Sequence, residues 1–386
     1  MVKKKEKIEA SLLLLSYLDT IGFYNGKWEF NYGLHIENVN QALMANFTIV
    51  MEYMALGGFN FLSIKNWKAS DDTILTIAVT KALIDGGEEI HFIKRYIDIY
   101  EELLKEERVS GNQTLKSIKF LKNITQKKMD TYLNKIPFDN LMGGNGAAIR
   151  SGPIGIFYAN DIDKIISTSI ISSRLTHNIP LGYLGGLVTA LFSSYAYKNI
   201  SPILWIDKLL ELYETNKIQD YIHTTNIGIT HDREISNYFT IWYIYKEKRF
   251  DDLINFRHKT NFLFAKDRYN ALTEFTPKDY FKNGKIEKWA LLGASGVDSV
   301  IYAYDALLMS TIPNELFQID DKLIFNPEEL IFFASLHVGD SDSTGAIAGF
   351  WYGALNGFDK FDINKIKELE FYKELIKLSE KVNDLV

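Results

Sequence analysis

The 386-residue sequence has enough apolar material for a large core, because 47% of its residues are hydrophobic, 14% are aromatic and only seven are prolines. Its net charge of −6 argues against a protein that binds nucleic acid by neutralising phosphates. The absence of cysteine excludes disulfides, thiolate catalysis and cysteine-ligated zinc or iron–sulfur sites, so any metal must be held by oxygen or imidazole. We therefore expect a small-molecule or protein substrate.

The sequence has no Pro/Gly/Ser-rich linker and no break in composition, so we expect a single domain over residues 1–386, with a disordered tail over residues 1–6. It opens with basic residues and a leucine run, MVKKKEKIEASLLLLSYLDTIGF. This run is shorter than the ~20 apolar residues that span a bilayer, and no signal-peptide cleavage site follows it. We predict a buried helix over residues 7–23 in a cytoplasmic protein that does not contact a membrane.

An Asn-Gly turn follows the first helix within the segment FYNGKWEFNYG. This segment is either a hairpin or a loop that carries Lys27, Trp28 and Glu29, because its flanks do not alternate cleanly between apolar and polar residues. A helical or mixed apolar stretch is expected over residues 41–62. The next helix has both a start and a stop, Ser-Asp-Asp-Thr at 70–73 and Gly-Gly at 86–87.

Two charged, amphipathic segments at 91–108 and 115–135 are predicted to be outer helices, with Lys127 and Lys128 on the surface. A glycine-rich segment then covers residues 142–155. Such a loop either exposes backbone N–H groups to an anion or tightly connects packed helices, and both interpretations stay open. It matches neither the Walker A motif nor the dinucleotide-binding fingerprint.

A helix with small residues on one face follows His177 within residues 173–197. A single histidine is usually structural, and contact with a substrate is the alternative. Amphipathic helices are also expected over 204–217 and 232–248, without assigned chemistry. At 289–308 a Gly-Ala-Ser-Gly turn precedes another helix, but it is not the Gly-x-Ser-x-Gly of a hydrolase, so Ser295 is a candidate for binding only.

The stretch HVGDSDSTGAIAGFWYG at 337–353 places Asp340, Asp342, Ser343 and Thr344 at the start of a helix. Glycines recur in it at every fourth residue, which predicts a helix face that a neighbouring backbone can approach closely. The acidic cluster is either a helix cap or a cation site. A final amphipathic helix is expected over 363–385, and the few strand-like segments indicate an all-α fold.

The two acidic helix starts have the same chemistry, which suggests that they converge on one site. Carboxylate and hydroxyl oxygens favour Mg²⁺, Mn²⁺ or Ca²⁺ over zinc. An EF-hand is excluded, since Trp351 stands where its loop would need a glutamate. Four aspartates with flanking hydroxyls suit two adjacent metals that share a bridging carboxylate and orient or activate water for hydrolysis.

Several motifs in one order resemble the ADP-ribosylglycohydrolase family. They are SDDT, NGAAIR, SRLTHNIPLGYLG, GASGVDSVIYAYDALL and HVGDSDSTGAIAG, and the resemblance extends over residues 9–380. The segment NGKWEF is similar to the branch that removes ADP-ribose from arginine. The resemblance implies a single compact all-α domain with a central binuclear site for two Mg²⁺ ions.

The resemblance also implies roles for individual residues. The implied metal ligands are Ser70, Asp71, Asp72, Asp340, Asp342 and Ser343, with Asp342 bridging. Glu29 resembles the mobile glutamate that covers the site until substrate enters, and Asp71 or Asp72 is expected to be the catalytic base. The implied substrate-binding residues are Gly143, Gly144, Asn145, Gly146, His177, Tyr183, Gly293, Ser295, Gly296 and Asp298.

Three positions depart from the family pattern. Leu18 precedes Asp19 where glycine is usual, Val297 replaces a histidine, and Val338 replaces a glycine. None of these changes removes an implied metal ligand, but they leave the preference for the leaving group open. We expect a monomeric hydrolase of ADP-ribosyl-arginine in proteins. The alternatives are hydrolysis of serine-linked ADP-ribose or of a free ADP-ribosyl metabolite, and a catalytically silent protein that binds ADP-ribose.

Overall fold

The computed structural model describes residues 2–31, 39–126, 131–139, 142–225, 231–250, 268, 272–275, 292–311 and 324–386. Among these residues all regular structure is helical, which confirms the all-α prediction. The two β-bridges in the described part are isolated, and they join Gly144 to Ser295 and Thr311 to Phe325.

The helices are numbered here in chain order. They are α1 (Lys4–Phe23), α2 (Val39–Ala55), α3 (Gly58–Phe61), α4 (Asp71–Ile84), α5 (Glu89–Asp98), α6 (Tyr100–Leu103), α7 (Asn112–Ile124), α8 (Gly146–Arg150), α9 (Gly152–Phe157), α10 (Ile162–Arg174), α11 (Pro180–Tyr197), α12 (Trp205–Glu214), α13 (Lys217–Thr225), α14 (Asp232–Ile244), α15 (Asp298–Met309), α16 (Pro327–Ser335), α17 (Ser341–Asn356), α18 (Ile363–Ile366) and α19 (Tyr372–Leu385). Short 3-10 segments cover Tyr24–Gly26, Glu29–Asn31, Glu106–Arg108, Leu133–Lys135 and Pro202–Leu204, and a π-helix covers Tyr245–Phe250.

Helices α1 and α17 pack against each other at the centre of the fold through glycines of α17. A Cβ atom at Gly349 would clash with the backbone of Leu14, and one at Gly353 would clash with the backbone of Ala10. The predicted close approach on the glycine face is therefore confirmed. The start of α17 is held at the end of α1, where the Ser341 hydroxyl donates to the Gly22 carbonyl at 3.0 Å.

The remaining buried helices surround this pair. Helix α4 is buried on nearly all sides rather than on one face only. Helix α11 packs against α8, α9, α10 and α17. An aromatic cluster fills the space beside α11, where Phe192 lies 5.2–5.6 Å, between ring centroids, from Trp205, Trp242, Tyr304 and Trp351. None of the described helices is both long enough and apolar enough to cross a membrane.

The predicted tail over residues 1–6 is corrected, because α1 begins at Lys4. The start of α1 is anchored by Lys7, which is 2% exposed. Its ammonium group donates to the Tyr197 carbonyl at 3.0 Å and to Asn199 Oδ1 at 2.7 Å, and so it caps the end of α11. The helix therefore starts before the apolar run that predicted it.

Several predicted helices are divided into shorter helical segments. The 41–62 stretch forms α2 and α3, separated at Gly57 with φ of 118°, and the 204–217 helix becomes α12 and α13, separated at Asn216 with φ of 59°. Positive φ ends a helix, and local sequence patterns do not reveal it reliably. The 91–108 segment likewise divides into α5, α6 and a 3-10 turn, and the 363–385 segment into α18 and α19.

Two other predictions change at their ends. The 115–135 helix ends at Ile124, and its last residues form the Leu133–Lys135 turn. The pair Lys127 and Lys128 lies outside the described residues. The segment after α1 forms two 3-10 turns, not a hairpin, over its described part.

Candidate metal centre and active site

The first acidic cluster lies at the start of α4. Ser70 occupies the N-cap position, and its Oγ accepts a hydrogen bond of 3.1 Å from the Asp72 backbone N–H. This cap fixes Asp71 and Asp72 in the first helical turn, where the partial positive charge of the helix favours carboxylates. The side chain of Ser70 is therefore engaged in capping the helix.

The second acidic cluster lies at the start of α17. Asp340 occupies the N-cap position, and its backbone N–H donates to the Leu292 carbonyl at 2.8 Å. Asp342 and Ser343 follow in the first turn. The Ser343 hydroxyl donates to Asp72 Oδ2 at 2.8 Å, which joins residues 271 positions apart in the sequence. The two acidic helix starts thus meet, as predicted.

Six described carboxylates lie at this meeting point, and five of them form two groups. Asp19, Asp72 and Asp342 form one group, and Glu29, Asp340 and Asp342 form the other, with oxygen atoms in each group within 4.8 Å of one another. Asp342 belongs to both groups. The sixth carboxylate, Asp71, belongs to neither group and lines the adjacent cavity.

The electrostatics of these groups favour a bound cation. Burial, and then the charge of Asp342, raises the pKa of Asp19 to about 7, and burial raises the pKa of Asp340 to about 6. Burial and the neighbouring carboxylates also hold the pKa values of Glu29, Asp72 and Asp342 well above their usual range. Buried carboxylates that repel one another are compensated by a cation. The donor set, all oxygen, matches a hard divalent ion.

Asp19 is a site residue that sequence reasoning missed. It lies on the mostly apolar α1 and is fully buried. Its carboxylate accepts hydrogen bonds from the backbone N–H groups of Ser70 at 3.2 Å and Thr73 at 3.3 Å, and also from the Thr73 hydroxyl. The sequence signal that could have identified Asp19 is an aspartate within a leucine-rich helix, since a buried charge needs a partner.

A cavity of about 610 Å³ opens beside the carboxylates. One wall comes from the start of α7 and the residues before it, including Gly111, Gln113 and Thr114. The sequence did not predict this wall, because its Ser-Gly-Asn-Gln-Thr segment has no recognised binding motif. Residues of the glycine-rich loop also line the cavity, and Gly146 lies next to Thr114 of this wall.

The comparison with known proteins now identifies the family. The sequence profile of the ADP-ribosylglycohydrolase family matches residues 2–386. The chain belongs to this family. It is 34% identical over 393 residues to the ADP-ribosylhydrolase ARH1 of Dictyostelium discoideum, with 96% of this chain and 92% of that protein covered. A protein of Acanthamoeba polyphaga mimivirus, named by inference as an ADP-ribosyl glycohydrolase, is 33% identical over 389 residues, which cover 96% of this chain and 68% of the viral protein.

Solved structures agree with the fold. A chain titled ADP-ribosylglycohydrolase-related protein complex matches with a TM-score of 0.58 and 15% identity, over 99% of this chain and 98% of that one. At this identity the likeness shows the fold alone. Membership of the ADP-ribosylglycohydrolase family supports ADP-ribosyl glycohydrolase activity, and the buried acidic groups offer ligands for metal ions.

The substrate-binding residues that this family resemblance implies fall into two sets. Those that line the cavity are Gly144, Asn145, Gly146 and His177. Those that are not among its lining residues are Gly143, Tyr183, Gly293, Ser295, Gly296 and Asp298. Asn145 connects the glycine-rich loop to the carboxylates, because its Nδ2 donates to the Gly293 carbonyl at 2.8 Å and to Asp340 Oδ2 at 3.0 Å.

The Gly-Ala-Ser-Gly turn at residues 293–296 is bonded to the glycine-rich loop. The Asp298 carboxylate accepts hydrogen bonds from the backbone N–H of Gly293 at 3.0 Å and from the Ser295 backbone and hydroxyl at 2.8 and 2.6 Å. The Gly296 N–H donates to the Gly143 carbonyl at 3.0 Å. These polar groups therefore satisfy one another within the turn, and its Ala294 is the residue that reaches the cavity.

Proposed function

We propose that the protein removes ADP-ribose from arginine in proteins by Mg²⁺-dependent hydrolysis of the N-glycosidic bond at C1″. The observation that carries this proposal is the pair of buried carboxylate groups that share Asp342 beside a cavity. The preference for arginine rests on the NGKWEF segment, which places Glu29 in one of the two groups.

The carboxylates match the demands of two hard cations. Asp19, Asp72 and Asp342 would hold one ion, and Glu29, Asp340 and Asp342 would hold the other, with Asp342 common to both. Ser70, Asp71 and Ser343 lie directly beside them on the two helix starts. When bound, Mg²⁺ would neutralise these charges and orient the ribose hydroxyls and water.

Asp71 is the residue best placed to act as the general base. It faces the cavity and lies outside both carboxylate groups, whereas the Asp72 carboxylate accepts the Ser343 hydroxyl. In the proposed reaction Asp71 takes a proton from water as the water oxygen bonds to C1″. The bond from C1″ to nitrogen breaks, and the guanidine leaves with its electron pair and takes up a proton. Such proton transfer typically contributes ~10²–10⁴-fold to the rate.

Glu29 is proposed to cover the site until substrate enters. It is 7% exposed, and its loop is fastened by the Phe30 N–H, which donates to the Gly339 carbonyl at 2.9 Å. One Glu29 carboxylate oxygen is buried and has no hydrogen-bond partner in the part of the chain that the structure describes. Like charges surround it, so a bound cation would hold the carboxylate in place, and entry of substrate would displace it.

We further propose that residues 1–386 form one domain that acts as a cytoplasmic monomer on ADP-ribosylated proteins, with ADP-ribose as product. No role with nucleic acid or membranes is proposed. The continuous core of the described helices supports a single domain, and the net charge of −6 argues against binding of nucleic acid.

Arginine-modified and serine-modified peptides test the choice of linkage. With Mg²⁺ present, we expect release of ADP-ribose from the arginine peptide and not from the serine peptide, because the NGKWEF segment resembles the arginine-directed branch. Released ADP-ribose is measured by chromatography. Release from the serine peptide alone would favour the serine-directed alternative, which Asn145 in the cavity wall supports.

A further inference from the structure

One ring nitrogen of His177 forms a hydrogen bond, and the other forms none with the described residues. The side chain lines the cavity and is 2% exposed. Its Nδ1 lies 2.8 Å from the hydroxyl oxygen of Thr176, whereas no described residue forms a hydrogen bond with Nε2. The backbone N–H of His177 donates to the Ser173 carbonyl at 2.8 Å, so the ring is also fixed from its main chain.

Arg150 determines the direction of the hydrogen bond between Thr176 and His177. Its Nη2 donates to Thr176 Oγ1 at 2.6 Å. An arginine can only donate, so the threonine oxygen is the acceptor in that bond. Among the contacts of described residues, His177 Nδ1 is then the acceptor left for the threonine proton. An Nδ1 that accepts carries no proton, which places the proton of the neutral ring on Nε2.

The Thr176 backbone is fixed as well. Its carbonyl accepts hydrogen bonds from the Ser117 hydroxyl at 3.0 Å and from Gln113 Nε2 at 3.3 Å, both on α7. The orientation of the Thr176 hydroxyl therefore depends on two helices, α7 and α8. Such a fully bonded buried network holds one geometry.

Arg150 is a buried positive charge whose hydrogen bonds go to neutral groups. Besides Thr176, it donates to the Tyr96 hydroxyl at 2.9 Å, to the Ser172 carbonyl at 3.2 Å and to the Gly146 carbonyl. No described carboxylate lies within ion-pair distance of it, so its charge is not cancelled locally. Burial and this charge lower the pKa of His177 well below the usual value, which keeps the ring neutral.

We propose that Arg150 and Thr176 are positioning residues that fix His177 as a neutral donor, through Nε2–H, to a negatively charged oxygen of the substrate. This inference rests on the proposed function, in which the diphosphate of ADP-ribose supplies such an oxygen. A neutral imidazole with its proton on Nε2 can donate a hydrogen bond from Nε2 but cannot accept one there. The site therefore favours a substrate atom that accepts a hydrogen bond at this position.

The space in front of the ring is consistent with this role. A Cβ atom added to Gly146 would lie 3.2 Å from His177 Nε2 and 3.0 Å from Thr114 Oγ1. The glycine therefore adds no side chain of its own to the narrow region between His177 Nε2 and Thr114 Oγ1. Positive charge from Arg150, which reaches the ring through Thr176, favours an anion beside Nε2.

The tautomer is measured on the full-length protein with Mg²⁺ and without substrate. Long-range ¹H–¹⁵N spectra of protein with ¹⁵N-labelled histidine rings distinguish protonated from unprotonated ring nitrogens, and a His177→Gln variant assigns the resonance. We expect an unprotonated Nδ1 and a protonated Nε2 at neutral pH. An unprotonated Nε2 in the unmodified protein overturns the inference.

The role of Thr176 in positioning His177 is measured with the variant Thr176→Val and with the conservative control Thr176→Ser. The valine variant is expected to lose the single tautomer and to bind ADP-ribose about tenfold more weakly by calorimetry, because the donor to Nδ1 is gone. The serine variant keeps the hydroxyl and should retain both properties. If the valine variant keeps the tautomer and the affinity of the unmodified protein, Thr176 does not position His177 and the inference is wrong.

Thr189→Val is the matched control. Thr189 is 1% exposed, and its hydroxyl has no hydrogen-bond partner among the described residues, so the same substitution there should leave the His177 spectrum and the ADP-ribose affinity unchanged. The spectrum of the free protein does not depend on turnover. A fixed tautomer in a protein that releases no ADP-ribose would therefore contradict the proposed function alone, whereas turnover with the opposite tautomer would contradict this inference alone.

Discussion

At the scale of single residues, Asp342 and Asp71 have different positions and therefore different expected roles. Asp342 is buried and belongs to both carboxylate groups, so its loss would remove a ligand from each proposed cation. Asp71 lies outside both groups and faces the cavity, where it can reach water. Neither side chain contributes to the apolar core, so substitution should affect chemistry more than folding.

Asp71→Asn and Asp342→Asn are each expected to abolish turnover while the helical circular-dichroism spectrum is kept. The amide is nearly isosteric with the carboxylate, but it cannot act as a base and is a weaker ligand for Mg²⁺. Release of ADP-ribose from an arginine-modified peptide is the measurement. Asp384→Asn, on the exposed end of α19, is the control and should keep full activity. Activity in either site variant would contradict the assignments.

At the scale of elements, the sequence predicted those features that depend on local pattern. Polar and acidic residues at the helix starts marked α4 and α17, and the four-residue glycine spacing marked the packing face of α17, since capping and close packing act within one or two turns. Asp19 and the α7 wall of the cavity were not predicted, because their roles arise only when helices distant in sequence pack together. The helix breaks at Gly57 and Asn216 depend on positive φ, which residue type alone does not determine.

Gly349→Ala tests the close packing of α1 and α17. Alanine favours a helix over glycine by about 1 kcal/mol, whereas overpacking typically costs ~1–3 kcal/mol. The cost should be at the upper end here, because the added Cβ would meet the backbone of Leu14, which cannot rotate away. We expect a net loss of about 2 kcal/mol in the free energy of unfolding, measured by urea titration.

Gly111→Ala is the matched control for that substitution. The nearest atom to a Cβ at Gly111 is Thr114 Oγ1 at 3.8 Å, an ordinary van der Waals distance. Gly111 is the N-cap residue of α7, where alanine is less favourable than glycine, so we expect only this smaller capping cost and no cost of overpacking. Equal stability of Gly349→Ala and Gly111→Ala would mean that α1 and α17 can move apart at little cost. The glycine spacing in α17 would then have another cause.

At the scale of the whole molecule, the carboxylates connect the stability of the fold to pH and cations. Burial and the charge of Asp342 raise the pKa of Asp19 to about 7, and burial raises that of Asp340 to about 6, whereas an unfolded aspartate titrates near ~3.9. Between these values the folded state binds more protons at these carboxylates than the unfolded state does. The stability of the metal-free protein should therefore fall as pH rises through this range.

Thermal unfolding in the presence of a chelator measures this effect. We expect Tm to decrease as pH is raised from about 5 to about 7, because the clustered carboxylates lose protons that the folded state retains more strongly. Added Mg²⁺ should raise Tm more at the higher pH, where ionised ligands bind it without releasing protons. A Tm that rises with pH in the chelator would contradict the proposed electrostatics.

Calorimetric titration of ADP-ribose, with Mg²⁺ and after chelation, tests whether the cavity and the carboxylates work as one site. The cavity residues alone offer hydrogen bonds to ADP-ribose. Removal of the cations would remove the proposed contacts to the ribose hydroxyls. It would also leave the negative charges of the carboxylates unneutralised beside the diphosphate. We therefore expect affinity to weaken at least tenfold on chelation, which is about 1.4 kcal/mol or more. The Asp342→Asn variant should bind ADP-ribose weakly in both conditions. Equal affinity of the unmodified protein with and without Mg²⁺ would leave the fold unchanged and remove the proposed mechanism.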